Sequence, residues 1–198
     1  LLFICYFRQI NERLFYFLKK ITVLCCFAFL SSHATASPEA LHQAGSFANI
    51  YASLCLKHLN NLNGLRQTLK DLPKLPTEKA VHFLAGKTGD AWPVPDKYGT
   101  FVLAIPSQQN FCAVHARRAD TEAARKYFMG MVATAPLPLV AKQVTNKQQQ
   151  TRDNVLTQTI AYEWSTPNTP RKMLFTLTTA SSENAQLQVL GSAAIIDK

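Results

Sequence analysis

The apolar spacing of this chain changes character once, near Gly99, and that change sets its fold class. From Pro38 to Leu59 the residues Leu41, Ala44, Phe47, Ala48, Tyr51, Leu54, Cys55 and Leu59 recur at intervals of an amphipathic helix. A second, short helix is expected over Leu62 to Lys70, stopped by Pro73 and Pro76. A third starts at Thr77, a residue type suited to N-capping, and ends near Gly86. Between Gly86 and Gly99 three glycines, Pro93, Pro95 and Trp92 follow neither period, so a structured loop is expected there.

Beyond Gly99 the pattern is that of strands. Thr100 to Ile105 and Asn110 to Ala116 are short apolar runs around Pro106-Ser107-Gln108-Gln109 and read as a hairpin. One more helix follows, with Asp120 or Thr121 as N-cap and Ala124, Tyr127, Phe128, Met131 and Val132 on one side; Pro136 and Pro138 end it. Leu139 to Val144, Val155 to Trp164, Lys172 to Thr179 and Ala185 to Ile196 read as strands, and Gln148-Gln149-Gln150 as a polar loop. In the second of these strands Leu156, Ile160, Tyr162 and Trp164 share one face, while Thr157, Thr159 and Glu163 share the other. That alternation suits an antiparallel sheet with one covered face. The expected architecture is α+β: N-terminal helices and one later helix packed on a mostly antiparallel sheet of about five to six strands, in a single domain over residues 37–198.

Residues 1–36 read as a secretory leader. Lys19 and Lys20 precede an apolar run from Ile21 to Leu30, and the small-residue site Ala34-Thr35-Ala36 places cleavage before Ser37. The run is about half the ~20 residues a membrane-spanning helix needs. The apolar stretch upstream, Leu1 to Leu18, does not begin with methionine and is an atypical extension, expected from a start placed too early or an unusual start codon. Leu24 before Cys25 is too bulky for a lipid-attachment site. The expectation is export to the periplasm or beyond, with no permanent membrane span after cleavage. Of the 21 basic and 12 acidic residues, the leader takes Arg8, Arg13, Lys19, Lys20 and Glu12, leaving 17 and 11 and a net charge of +6. Those charges are scattered rather than gathered into a stripe with interleaved aromatics, so nucleic acid is not an expected partner. An envelope protein or polysaccharide is compatible with the balance.

Export also changes how the cysteines read. Of five, Cys5, Cys25 and Cys26 leave with the leader, and the remaining pair, Cys55 and Cys112, is expected to form a disulfide in an oxidising compartment. Each is followed by a histidine three residues on, His58 and His115, which superficially resembles a four-ligand zinc site. On a helix such a pair shares a face, but on a strand Cys112 and His115 point to opposite faces, so the set is incomplete and no metal is expected. Cys112 with His82 or His115 as a thiolate pair is the alternative enzymatic reading.

The remaining chemistry-bearing strings are weaker. Gly86-Lys87-Thr88 ends like a phosphate-binding loop, but Val81 stands where that motif needs glycine, and a helix rather than a strand precedes it. Gly86 is better read as a helix C-cap with Lys87 complementing the dipole. No Gly-x-Ser-x-Gly elbow and no facing carboxylate pair stands out; Glu163, between Tyr162 and Trp164, reads as a solvent-facing strand residue. No cofactor is implied. Trp92, in its proline- and glycine-rich setting, reads either as a core plug or, together with Lys87 and Tyr98, as a candidate partner contact.

The arrangement Phe47 to Cys55, Phe83-Leu84-x-Gly86, Gly89-x-Ala91-Trp92, Gly99-x-Phe101 and Phe111-Cys112-x-Val114 resembles a group of uncharacterised small secreted proteins and lipoproteins of Gram-negative bacteria, over roughly residues 40 to 135. The resemblance implies envelope export and a shared fold, and no activity. The functional expectation is an exported, non-enzymatic binding or envelope-associated module. Alternatives are an envelope hydrolase or thiol enzyme using Cys112 with a histidine, and an inhibitor or immunity protein against a secreted toxin.

Overall fold

The computed structural model describes residues 37–151, 154–167, 169–182 and 185–197. The expected leader, residues 1–36, lies outside the described residues.

The N-terminal helical third begins where capping chemistry allows. Ser37 Oγ accepts a bond from the Ala40 N–H at 3.2 Å, and Pro38 occupies the first turn of α1 (Pro38–Ile50), where a missing N–H is harmless. The expected helix does run on toward Leu59, but not as one α-helix: a π-helical turn spans Tyr51–Leu56 and a 3-10 turn spans Leu59–Asn61. The reason lies in the spacing of Phe47, Tyr51, Cys55 and Leu59, all buried and all four residues apart. At 3.6 residues per turn such a set drifts by about 40° per step, and the wider π turn takes up that drift. Asn61 then caps α2 (Leu62–Thr68), accepting from the Gly64 N–H at 2.9 Å. In α3 (Thr77–Phe83) the cap position is Pro76, so Thr77 is the first helical residue and not the cap.

Among the described residues seven strands follow, against the five to six expected: β1 (Gly89–Asp96), β2 (Gly99–Pro106), β3 (Phe111–Ala116), β4 (Val140–Gln150), β5 (Leu156–Ser165), β6 (Arg171–Ala180) and β7 (Val189–Asp197). They form one antiparallel sheet in the order β1-β2-β3-β7-β6-β5-β4. Helix α4 (Thr121–Val132) joins its two meanders and is capped by Asp120, whose carboxylate accepts from the Ala123 N–H at 2.7 Å. The α+β class is as expected.

Two segments read as loops are strands. Most of the Gly86 to Gly99 stretch is β1, which pairs along its whole length with β2. As an edge strand it tolerates Pro93 and Pro95, which lie two apart and turn their missing donors to the same unpaired side. Gly89 is required where β1 begins, because a Cβ there would stand 2.6 Å from the Ile105 carbonyl oxygen. At the opposite edge β4 runs through Gln148-Gln149-Gln150; its polar residues face solvent, and its register shifts between Gln143 and Thr145. Glu163 is not the solvent-facing residue expected: it is mostly covered and ion-paired with Lys172 of the neighbouring strand.

The two sheet faces are covered differently. Phe47, Tyr51 and Cys55, together with Ala124, Phe128 and Val132 of α4, pack on Leu103, Val114, Phe175 and Ala193. Gly191 makes the close approach possible, since a Cβ there would meet the Phe47 ring at 2.6 Å. Tyr51, fully buried, donates its hydroxyl to the Ser192 carbonyl at 2.8 Å, and Trp164 Nε1 donates to the Val132 carbonyl at 2.7 Å. Cys55 and Cys112 form the expected disulfide on this face, with Cα atoms 5.4 Å apart. On the opposite face α3 covers one end of the sheet, placing Ala80 and Leu84 against Ala91, Val102 and Ala104.

Candidate ligand-binding groove

The all-apolar run of β2 is explained by this double covering. Phe101, Leu103 and Ile105 face the large core, and Val102 and Ala104 face α3. On β3 the same alternation puts Cys112, Val114 and Ala116 in the large core and turns Ala113 and His115 toward the α3 side. Cys112 and His115 are therefore on opposite faces, and Cys112 is bonded to Cys55. Neither a thiolate–imidazole pair nor the four-ligand set is assembled, and among the described residues no three His, Cys, Asp or Glu side chains converge on a point.

His115 is 8% exposed, and its surroundings are unusual for a buried histidine. The Phe83 carbonyl, one of those that the end of α3 leaves without a helical partner, lies close enough to the ring to favour its protonated form. The Phe83 ring stands edge-on to the imidazole, with centroids 5.1 Å apart and planes at 86°. The ring nitrogen Nε2 is buried with no hydrogen-bond partner. Burial pushes the imidazole pKa down to about 4, against the opposing effect of the Phe83 backbone carbonyl, so the ring is neutral at physiological pH.

His115 lines two adjoining lobes of one groove. The first, about 420 Å³, lies between the C-terminal end of α3, β3 and the approach to β7, with Phe83, Leu84, Phe111, Ala113, Leu187 and Leu190 as apolar walls. At its rim Lys87 Nζ donates to Gln109 Oε1 at 3.0 Å. The second, about 350 Å³, shares Phe83, His115, Gln186 and Leu187 with the first and adds Arg117 and Arg118, which follow β3. Among the described residues neither guanidinium has a carboxylate partner within ion-pair distance. The groove is thus apolar at one end and cationic at the other, with an unsatisfied imidazole nitrogen between. Its volume and its few polar groups are those of a small-molecule site.

The three residues expected as partner contacts are not brought together. Trp92 is 1% exposed and packs in the large core with Phe101 and Leu103; Lys74 Nζ stands 5.5 Å from its ring centroid. The contact reading of Trp92 is corrected: β1 turns its ring inward beneath the helices, and the plug reading describes it. Lys87 does lie at the groove rim, just after the left-handed turn at Ala85 (φ 51°) and Gly86 (φ 78°) that ends α3. The Gly86 amide donates to the Val81 carbonyl at 3.0 Å, so Gly86-Lys87-Thr88 follows a helix end and does not open one. Tyr98 is on the β1–β2 turn, stacked on His42 of α1 with centroids 4.4 Å apart and with Lys97 Nζ 4.6 Å over its ring. Its backbone N–H and the Ser46 hydroxyl both donate to Asp96, which holds that carboxyl below its usual range.

Sequence reasoning passed over the groove itself. Its signal was a strand whose apolar residues alternate with further apolar residues and a histidine, where a one-sided sheet would carry polar side chains. The chain matches no protein-family model, no curated protein and no solved structure.

Proposed function

We propose that this chain is an exported, non-enzymatic binding module of the bacterial envelope whose site is the groove under α3. The observation that carries the reading is His115 Nε2, a polar atom buried beside an apolar cavity with nothing to satisfy it. Such an atom costs about 1–3 kcal/mol, and a bound molecule is one source of the missing bond. The disulfide fits an oxidising compartment. Among the described residues no helix is long and apolar enough to cross a membrane. The reading replaces a protein-docking loop centred on Trp92 with a concave site for a small envelope component.

The test is native mass spectrometry of protein recovered from the envelope fraction, with N-terminal sequencing of the same sample. The expected result is a chain beginning at Ser37 that carries a small-molecule adduct. Leu190→Trp, which fills the apolar lobe, abolishes the adduct while leaving the melting temperature within a few degrees. A protein that carries no adduct and gives no saturable binding of an apolar fluorescent dye overturns the assignment of the site. A chain that stays in the cytoplasm overturns the assignment of compartment.

A further inference from the structure

The groove's chemistry is specific enough to name a ligand class, an inference that rests on the groove being a binding site. We infer that it takes an amphipathic anion with a hydrogen-bond donor between its two ends: an apolar body along Phe83, Phe111 and Leu190, an N–H or O–H directed at His115 Nε2, and an anionic group at Arg117 and Arg118.

Each part follows from a different observation. The apolar lobe offers few polar atoms, the Lys87–Gln109 bond being confined to its rim, so it selects a hydrocarbon or aryl body. A neutral imidazole carries one N–H and one lone pair; the Phe83 backbone carbonyl favours a proton on the nitrogen that faces it, and Nε2, buried without a partner, is then the acceptor. A ligand that itself presents only acceptors at this point leaves Nε2 unpaired, whereas one presenting a donor satisfies it. Nε2 is covered in this structure, so the bond is made by a group that enters the groove and moves aside the side chains over the imidazole. Arg117 and Arg118 bring two permanent positive charges, with planar forks suited to carboxylate or phosphate, to the lobe that shares His115.

A matched pair of probes isolates the donor. N-decanoylglycine has an amide N–H between its alkyl chain and its carboxylate, and N-decanoylsarcosine is the same molecule with that hydrogen replaced by methyl. Calorimetric titration of the purified protein is expected to show the glycine conjugate binding about tenfold more tightly. In His115→Phe the preference falls to about unity, because the acceptor is gone while the aromatic volume is kept. In Arg117→Gln/Arg118→Gln both probes weaken together by about tenfold or more, with the preference retained. Equal affinities in the wild-type protein overturn the donor assignment, and that comparison stands even if His115→Phe does not fold. Undiminished binding in the arginine double variant overturns the anion assignment. If neither probe binds while an apolar dye still enters a groove that Leu190→Trp closes, the ligand class is wrong and the binding site stands. If nothing enters the groove, both fall.

Discussion

Phe83 and His115 meet edge to face, with ring centroids 5.1 Å apart and planes at 86°. The contact ties the end of α3 to the C-terminal end of β3. Beside that contact Nε2 is left buried without a hydrogen-bond partner, at the wall of the groove.

The buried imidazole makes stability depend on pH with a definite sign. His115 titrates near 4 in the folded chain and near 6.5 when unfolded, so between these values the unfolded chain binds more protons. Its contribution is complete above about pH 6.5 and is lost as pH falls toward 4, about 3 kcal/mol in all. His82 of α3, Lys87, Arg117 and Arg118 also line the groove. Denaturant unfolding at pH 7.5 and 4.5 should show a smaller loss for His115→Phe than for the wild type. Equal losses would mean that the imidazole is not held neutral.

Trp92→Ala is expected to cost about 3–5 kcal/mol, the range for deleting a large ring from a packed core. Thermal unfolding checks this. An unchanged melting temperature would return Trp92 to the surface and revive it as a contact residue.

The disulfide closes a sequence separation of 57 residues, for which loop entropy gives about 4 kcal/mol. Thiol titration of denatured, unreduced protein should find no free thiol at Cys55 or Cys112. Replacing Cys55 and Cys112 by serine and alanine, in either order, should lower stability by roughly that amount.

Gly191→Ala forces a methyl group into the Phe47 ring and is expected to cost about 1–3 kcal/mol. Combined with Phe47→Leu, part of that cost should be recovered, so a double-mutant cycle should give a favourable coupling energy. Strict additivity would show that the two positions do not touch.

Much of this molecule is legible in residue order because it depends on local periodicity and caps. Phe47, Tyr51 and Cys55 announce a helix, Asp120 announces a helix start, and the alternation of Ile160, Tyr162 and Trp164 announces a strand with one covered face. The pairing of Cys55 with Cys112 follows once three cysteines are assigned to the leader. The opposition of Cys112 and His115 follows from the two-residue repeat of a strand. Errors fall where a neighbour overrides local preference. Pro93 and Pro95 suit a loop unless their strand is an edge, and Gln148 to Gln150 suit a loop unless β5 is there to pair with them. Four-residue spacing suits an α-helix unless the sheet beneath demands that the stripe not drift.

The groove belongs to the second kind. Residue order contained Phe83, Phe111, His115, Arg117 and Leu190, and nothing in their spacing along the chain relates them. They meet because α3 crosses to the sheet face opposite the other helices, and because β7, last in the chain, pairs with β3 in the sheet's interior. Helix, strand, cap and disulfide are set by contacts between near neighbours or by few alternatives. A cavity with one unpaired nitrogen is set by long-range packing, which a single sequence does not display.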